Sequence, residues 1–266
     1  MSQELYQTVL LIAGGVNLLL ALVLLLDNGE YRDYDVYRRA RSLVALCYAV
    51  FAVGFLLHAH FGWRTSWPDG ATALSTTYFH VGAVLFGWSH TSLLRPDYLR
   101  RSIVVRDTTI LIIGIAGYWT TAVWAESSLL TLHASLLIFF LHAGYIAVNF
   151  YRTCYLVRRS LQRKPVGSEA PFWWTEEAKR EVLDGHHSFV VSAHLIILFG
   201  IGGIVVTASV PTLLWPFTLL MAAGIAVFMY IFYSLAEYGR VIEAATCATE
   251  DAGLWPESDH QQAIVY

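Results

Sequence analysis

Seven histidines, His58, His60, His80, His90, His133, His142 and His194, fall within long apolar stretches that contain no Asp, Glu, Lys or Arg. Imidazole titrates near neutrality, ligates metals and both donates and accepts hydrogen bonds. The chemistry open to these residues is therefore proton exchange, metal or haem ligation, or polar contact with a ligand. A helical rise of about 1.5 Å per residue puts His58, His80 and His133 on an outer shelf, with His60 nearer that surface. His90, His142 and His194 form an inner shelf. Three imidazoles at one depth suit zinc or copper with one position left open, so both shelves are candidate metal sites. A two-haem cytochrome would pair His80 with His133 and His90 with His142. Helical phase opposes it: ten residues rotate by about 280°, whereas the nine from His133 to His142 rotate by about 180°, onto opposite faces. In a structural reading the imidazoles hydrogen-bond across helices to Ser89, Ser92, Ser135, Ser192 or backbone carbonyls. In a binding reading His58, His80 and His133, with Tyr78 and Trp88 nearby, line a pocket for a small or lipidic ligand. His186 and His187 fall at the inner interface and are expected to be solvated.

The elements that must hold these side chains are membrane helices. Hydrophobic residues make up 56% of the 266 and charged residues only 14%, where a globular chain carries about 25%. Mean hydropathy is +0.53. The apolar runs are long enough to cross a hydrocarbon core of about 30 Å, which takes roughly 20 helical residues. They are continuous rather than alternating, which favours helices over barrel strands. The pattern predicts an all-α polytopic membrane protein with seven transmembrane helices near 5–26, 42–62, 74–94, 108–124, 128–151, 188–209 and 212–236. Residues 1–236 form the bundle, with a short helix in the loop at 165–187, and 237–266 form a helical extension and tail. The fourth span is the shortest, and Gly114 and Gly117 within it favour close helix packing.

Loop charges set the orientation. Sixteen of the 17 Lys and Arg residues lie in the odd-numbered loops and the tail, and only Arg64 lies on the other side. The N-terminus is thus expected outside and the C-terminus in the cytoplasm, in a bacterial inner membrane. The outer face is almost bare, with Trp63, Trp67, Trp124 and Trp215 suited to an aromatic belt. Anything recognised from outside must be small or must arrive through the bilayer. On the inner face, 151–164 continues the fifth span, Trp173 and Trp174 suit an interfacial anchor, and Tyr31, Tyr34 and Tyr37 make a stripe. Cys47 lies in a span while Cys154 and Cys247 face the cytoplasm, so no disulfide is expected.

Several classes are excluded. The only lysines, Lys164 and Lys179, lie outside the spans, which rules out a retinal Schiff base. Ion-coupled transporters mark their path with intramembrane charges, and the predicted spans hold none. The G-protein-coupled receptor signatures at the ends of spans three and seven are missing. Soluble catalytic motifs are absent and no catalytic residue stands out, so the reading leans away from an enzyme without closing that class. The basic residues are accounted for by topology, so no nucleic-acid contact is expected.

Three stretches, DYDVYRRAR at 33–41, GFLLHAHFGWR at 54–64 and YFHVGAVLFGWSHTSLLRPDYLRR at 78–101, resemble the seven-helix membrane input modules of bacterial, chiefly Bacteroidota-type, signalling regulators. Such modules sit ahead of histidine-kinase or AraC-type output domains, and this chain reaches Tyr266 without one. The resemblance implies a sensor or receptor-like module that binds a small or lipidic ligand within the bundle and signals to a cytoplasmic partner protein. Two alternatives stay open: an integral-membrane metalloprotein using histidine-ligated metal or haem, and a small-solute or lipid carrier.

Overall fold

The computed structural model describes residues 2–26, 34–124, 129–162, 176–239 and 241–242. All regular structure among them is helical: α1 (Gln3–Leu25), α2 (Asp35–Phe61), α3 (Trp63–Ser66), α4 (Pro68–Leu94), α5 (Arg101–Val123), α6 (Leu129–Gln162), α7 (Glu176–Ser209) and α8 (Leu214–Tyr238). Six of these, α1, α2, α5, α6, α7 and α8, are long and apolar enough to cross a membrane. Their outward faces carry Leu19, Ile112, Leu141, Val148, Leu198 and Leu219, all exposed. A belt of that size would be unstable against water and belongs against lipid.

The helix α4, predicted as the third span, is 27 residues long but is not among the apolar six. It packs against α2, α5, α6 and α7, and most of its side chains are buried. A helix screened on all sides by other helices needs no apolar exterior. It can therefore carry the Ser, Thr and His side chains that its neighbours then satisfy. Around it, α1 packs on α2 and α8, α7 on α8, and α5 on α6.

Local chemistry explains the helix ends. Ser2 Oγ accepts from the Leu5 amide and caps α1. Gly62, with φ of 59°, closes α2 in the left-handed region that glycine tolerates best. Pro68 opens α4 at a position that has no amide to lose. Tyrosines then bridge helices: Tyr48 and Tyr37 on α2 donate to the α8 carbonyls of Phe228 (2.8 Å) and Leu235 (2.9 Å).

Three sequence expectations are corrected. The fourth span does not begin at Thr108: α5 starts at Arg101 and takes Asp107 inside the bundle. The helix expected in the 165–187 loop is not separate, because α7 runs unbroken from Glu176 to Ser209. Within it His186 is buried rather than solvated, while its neighbour His187, about 100° around the helix, is exposed. The continuation of the fifth span is present, since α6 extends to Gln162. Tyr31, Trp173, Trp174, Lys164, Cys247 and the tail from Glu243 lie outside the described residues.

Candidate functional site

A chain of polar side chains crosses the bundle between α4, α5 and α6. The Tyr118 hydroxyl on α5 lies 3.0 Å from His80 Nδ1 on α4. His80 Nε2 lies 3.0 Å from His142 Nδ1 on α6. His142 Nε2 in turn lies 3.4 Å from Asp107 Oδ1, back on α5. The other carboxylate oxygen accepts from Trp88 Nε1 at 2.8 Å. Arg106 Nε donates to Asp107 Oδ1 at 2.8 Å, and Arg106 Nη1 donates to the Tyr145 hydroxyl, also at 2.8 Å.

His142 Nε2 stands 3.4 Å from the carboxylate without a hydrogen bond to it, so Asp107 acts on the chain electrostatically. A carboxylate oxygen favours a ring nitrogen that carries its proton over one that presents a lone pair, so this contact favours the His142 tautomer protonated at Nε2, with Nδ1 accepting. His80 then donates through Nε2 and accepts at Nδ1, which leaves the Tyr118 hydroxyl as donor. Each imidazole is neutral, and its tautomer is set by the partner beyond it. Tyr118, His80 and His142 are thus hydrogen-bonded in one row whose far end faces the carboxylate. Asp107 is fully buried, and a charge at that position needs its partners. Arg106 supplies the countercharge, and its guanidinium rests 4.5 Å from the Tyr145 ring.

Glycines allow the close approach. A Cβ added at Gly114 would stand 2.9 Å from His80 Cε1, and one at Gly87 would stand 2.1 Å from Ile146 Cγ2. The first lets α5 reach His80, and the second lets α6 reach α4.

Beside this chain an apolar cleft of 220 Å³ opens between α4, α6 and α7. Phe79, Phe86, Phe139, Phe150 and Phe199 form much of its wall, and His90 also lines it. Phe139 belongs to both features: its ring faces the cleft and stands edge-on to His80, centroid to centroid 5.2 Å. No protein-family model, curated protein or solved structure matches this chain. Its chemistry is legible only from its own side chains.

The predicted outer shelf does not assemble as one pocket. His58 Nε2 pairs with Ser75 Oγ at 3.0 Å, and Tyr78 also donates to Ser75. His80 and Trp88 belong instead to the Asp107 chain. Ser75 and His80 are five residues apart on α4, hence about 140° apart in phase, and so serve different neighbours. His133 is exposed, because His142, half a turn away in phase, is the one directed inward.

The inner shelf separates too. His90 is buried and stacked on Phe189 at 4.8 Å, His142 pairs with His80, and His194 is exposed with its Nδ1 on the Val190 carbonyl. Neither His80 with His133 nor His90 with His142 stands as a haem pair, since His80 and His142 bond each other. Among the described residues no three His, Cys, Asp or Glu side chains gather in a way that could hold a metal ion. Of the serines expected as imidazole partners, the Ser135 side chain lies outside the described residues, and the other three bond to backbone carbonyls. Ser89, Ser92 and Ser192 donate to the carbonyls of Ala40, Ser89 and Phe189.

Two residues central to the interior were missed. Asp107 falls just outside the span expected from 108, yet Trp88, six residues from the end of α4, offers it a half-buried donor. Arg64 was read only as an outer-loop charge, yet it is buried. It donates to Ser75 Oγ, and its guanidinium lies 3.5 Å from the Phe217 ring centre. A helix hydropathy profile registers neither, because each sits at a span boundary.

Proposed function

We propose that the protein is a membrane sensor in which a small apolar or lipidic molecule occupies the cleft between α4, α6 and α7. In this reading α4 is the seventh span, the N-terminus faces outward and the C-terminus lies in the cytoplasm of a bacterium. The carrying observation is that the two helices flanking the cleft are also the two longest. Both α6 and α7 have 34 residues, or about 51 Å at 1.5 Å per residue, against a hydrocarbon core of about 30 Å. Each therefore projects well past the bilayer. A molecule that wedges them apart at the cleft changes the spacing of their projecting ends, where a partner protein can read it.

The sparse packing of α6 on α7, compared with their packing on α4, supports lateral entry from lipid. The glycine-lined approach at Gly144 and Gly200 has open space around both positions. Phe139 gives the occupant a second output, since displacing its ring alters the surroundings of His80 and the polar chain.

The test is retention of ligand through purification. Organic extraction and mass spectrometry of the purified protein should yield an apolar species near one per chain. Gly200→Trp, which fills the cleft from a position with room for a side chain, should lose it. Identical extracts from both proteins would sink the proposal.

A further inference from the structure

Among the described residues the cleft has one polar side chain in its wall. Of the residues that line it, His90 alone carries a side-chain nitrogen or oxygen; the rest are Phe, Ile, Ala and Gly. The His90 ring is held firmly, stacked on Phe189 with planes 18° apart and edge-on to Phe150 at 6.1 Å. Its Nδ1 lies 3.0 Å from the Phe86 carbonyl one turn earlier. A carbonyl only accepts, so Nδ1 carries the proton and Nε2 is a lone-pair acceptor. No donor among the described residues reaches Nε2, although His90 is only 2% exposed. With Nδ1 committed to the Phe86 carbonyl, Nε2 is the acceptor this side chain of the cleft wall has left to offer an occupant.

Resting on the reading of the cleft as a ligand site, we propose that its occupant is an apolar molecule with a single hydroxyl, which donates to His90 Nε2. The class is a lipophilic phenol or alcohol. A carboxylate is disfavoured because a neutral acceptor offers it no proton, and burying that charge among phenylalanines has no compensation. A second polar group on the ligand would likewise go unmet, since the helical carbonyls of the wall are engaged within their own helices. Size agrees: an apolar cavity of about 150 Å³ accepts benzene, and this cleft, at 220 Å³, takes an alkylated ring.

The experiment compares 4-propylphenol with its methyl ether, 4-propylanisole, by equilibrium dialysis against the full-length protein in nanodiscs, with partition into empty nanodiscs subtracted. The phenol should bind about 5–10-fold more tightly than the ether, the value of one hydrogen bond to an otherwise unsatisfied acceptor. His90→Phe should bind both equally, and Gly200→Trp neither. The two probes binding wild type with equal affinity would overturn the hydroxyl assignment while leaving the cleft as a ligand site. Absence of any saturable binding, the same in wild type and Gly200→Trp, would overturn both. The wild-type comparison alone decides the matter if His90→Phe fails to fold.

Discussion

His80 and His142 meet nitrogen to nitrogen at 3.0 Å, one from the central helix and one from α6, and neither has a water-facing edge to fall back on. Each is the other's partner, so removing one strands the other. His80→Phe or His142→Phe should each lower stability by about 1–3 kcal/mol, the cost of a buried unsatisfied polar group. The double variant should cost clearly less than the sum of the two. Denaturation in detergent micelles checks this, and simple additivity would mean that the pair is not coupled.

Asp107 faces the far end of the same chain and biases both tautomers electrostatically. Replacing it with alanine leaves Trp88 Nε1 without its acceptor, removes the carboxylate 3.4 Å from His142 Nε2 and leaves Arg106 without its countercharge. A loss of about 2–3 kcal/mol is expected, somewhat below a fully buried ion pair because the Arg106 head is partly exposed. Asp107→Asn keeps one acceptor oxygen and should recover part of it. Nitrogen-15 chemical shifts of the His80 and His142 rings should change tautomer pattern in Asp107→Ala. Unchanged shifts would refute the assignment of proton direction.

Glycine substitutions separate packing at the polar chain from packing at the cleft. Gly114→Ala would place a methyl 2.9 Å from His80 Cε1 and should destabilise by about 1–3 kcal/mol through overpacking. Gly144→Ala meets nothing within 4 Å and should be neutral or stabilising by up to about 1 kcal/mol, as helix propensity favours alanine. Melting temperatures of the two variants give the comparison directly. Equal effects would contradict the α5 contact.

Asp97, in the turn between α4 and α5, gives a pH signature outside the spans. Partial burial by itself would raise its carboxyl, but the Arg95 and Arg100 guanidiniums more than offset this and hold it below the ordinary carboxylate value. A depressed folded value means that the stabilisation is fully present above the unfolded value, near 3.9, and is lost as pH falls through the folded one. Asp97→Asn should therefore be less stable than wild type at pH 7, and the gap should close only in strongly acidic solution. A gap that persists unchanged at low pH would point to a cause other than this charge.

Spin labels on the projecting ends of α6 and α7 test the sensor reading. Arg159 and Arg180 are both exposed and accept a label without disturbing the core. Their separation should shift when 4-propylphenol is added to wild type and stay put in Gly200→Trp. Motion without dependence on the cleft, or none in either protein, would count against transmission along these helices.

Hydropathy along the chain was enough to determine an all-helical protein with membrane-length apolar segments, because each helix meets lipid through its own side chains. The opposition of His133 and His142 was also legible, since phase along one helix is arithmetic. What only the tertiary structure decided is which helix each face of α4 meets. Ser75 turns to His58 and Arg64, while His80 turns to His142 and Tyr118. Depth in a span places residues on a common level, but sharing a level is not sharing a contact. Asp107 and Arg64 escaped for a related reason. Charge was taken to mark where the membrane ends, whereas a packed bundle can bury a charge once neighbouring helices furnish a tryptophan, a serine or a second charge to receive it.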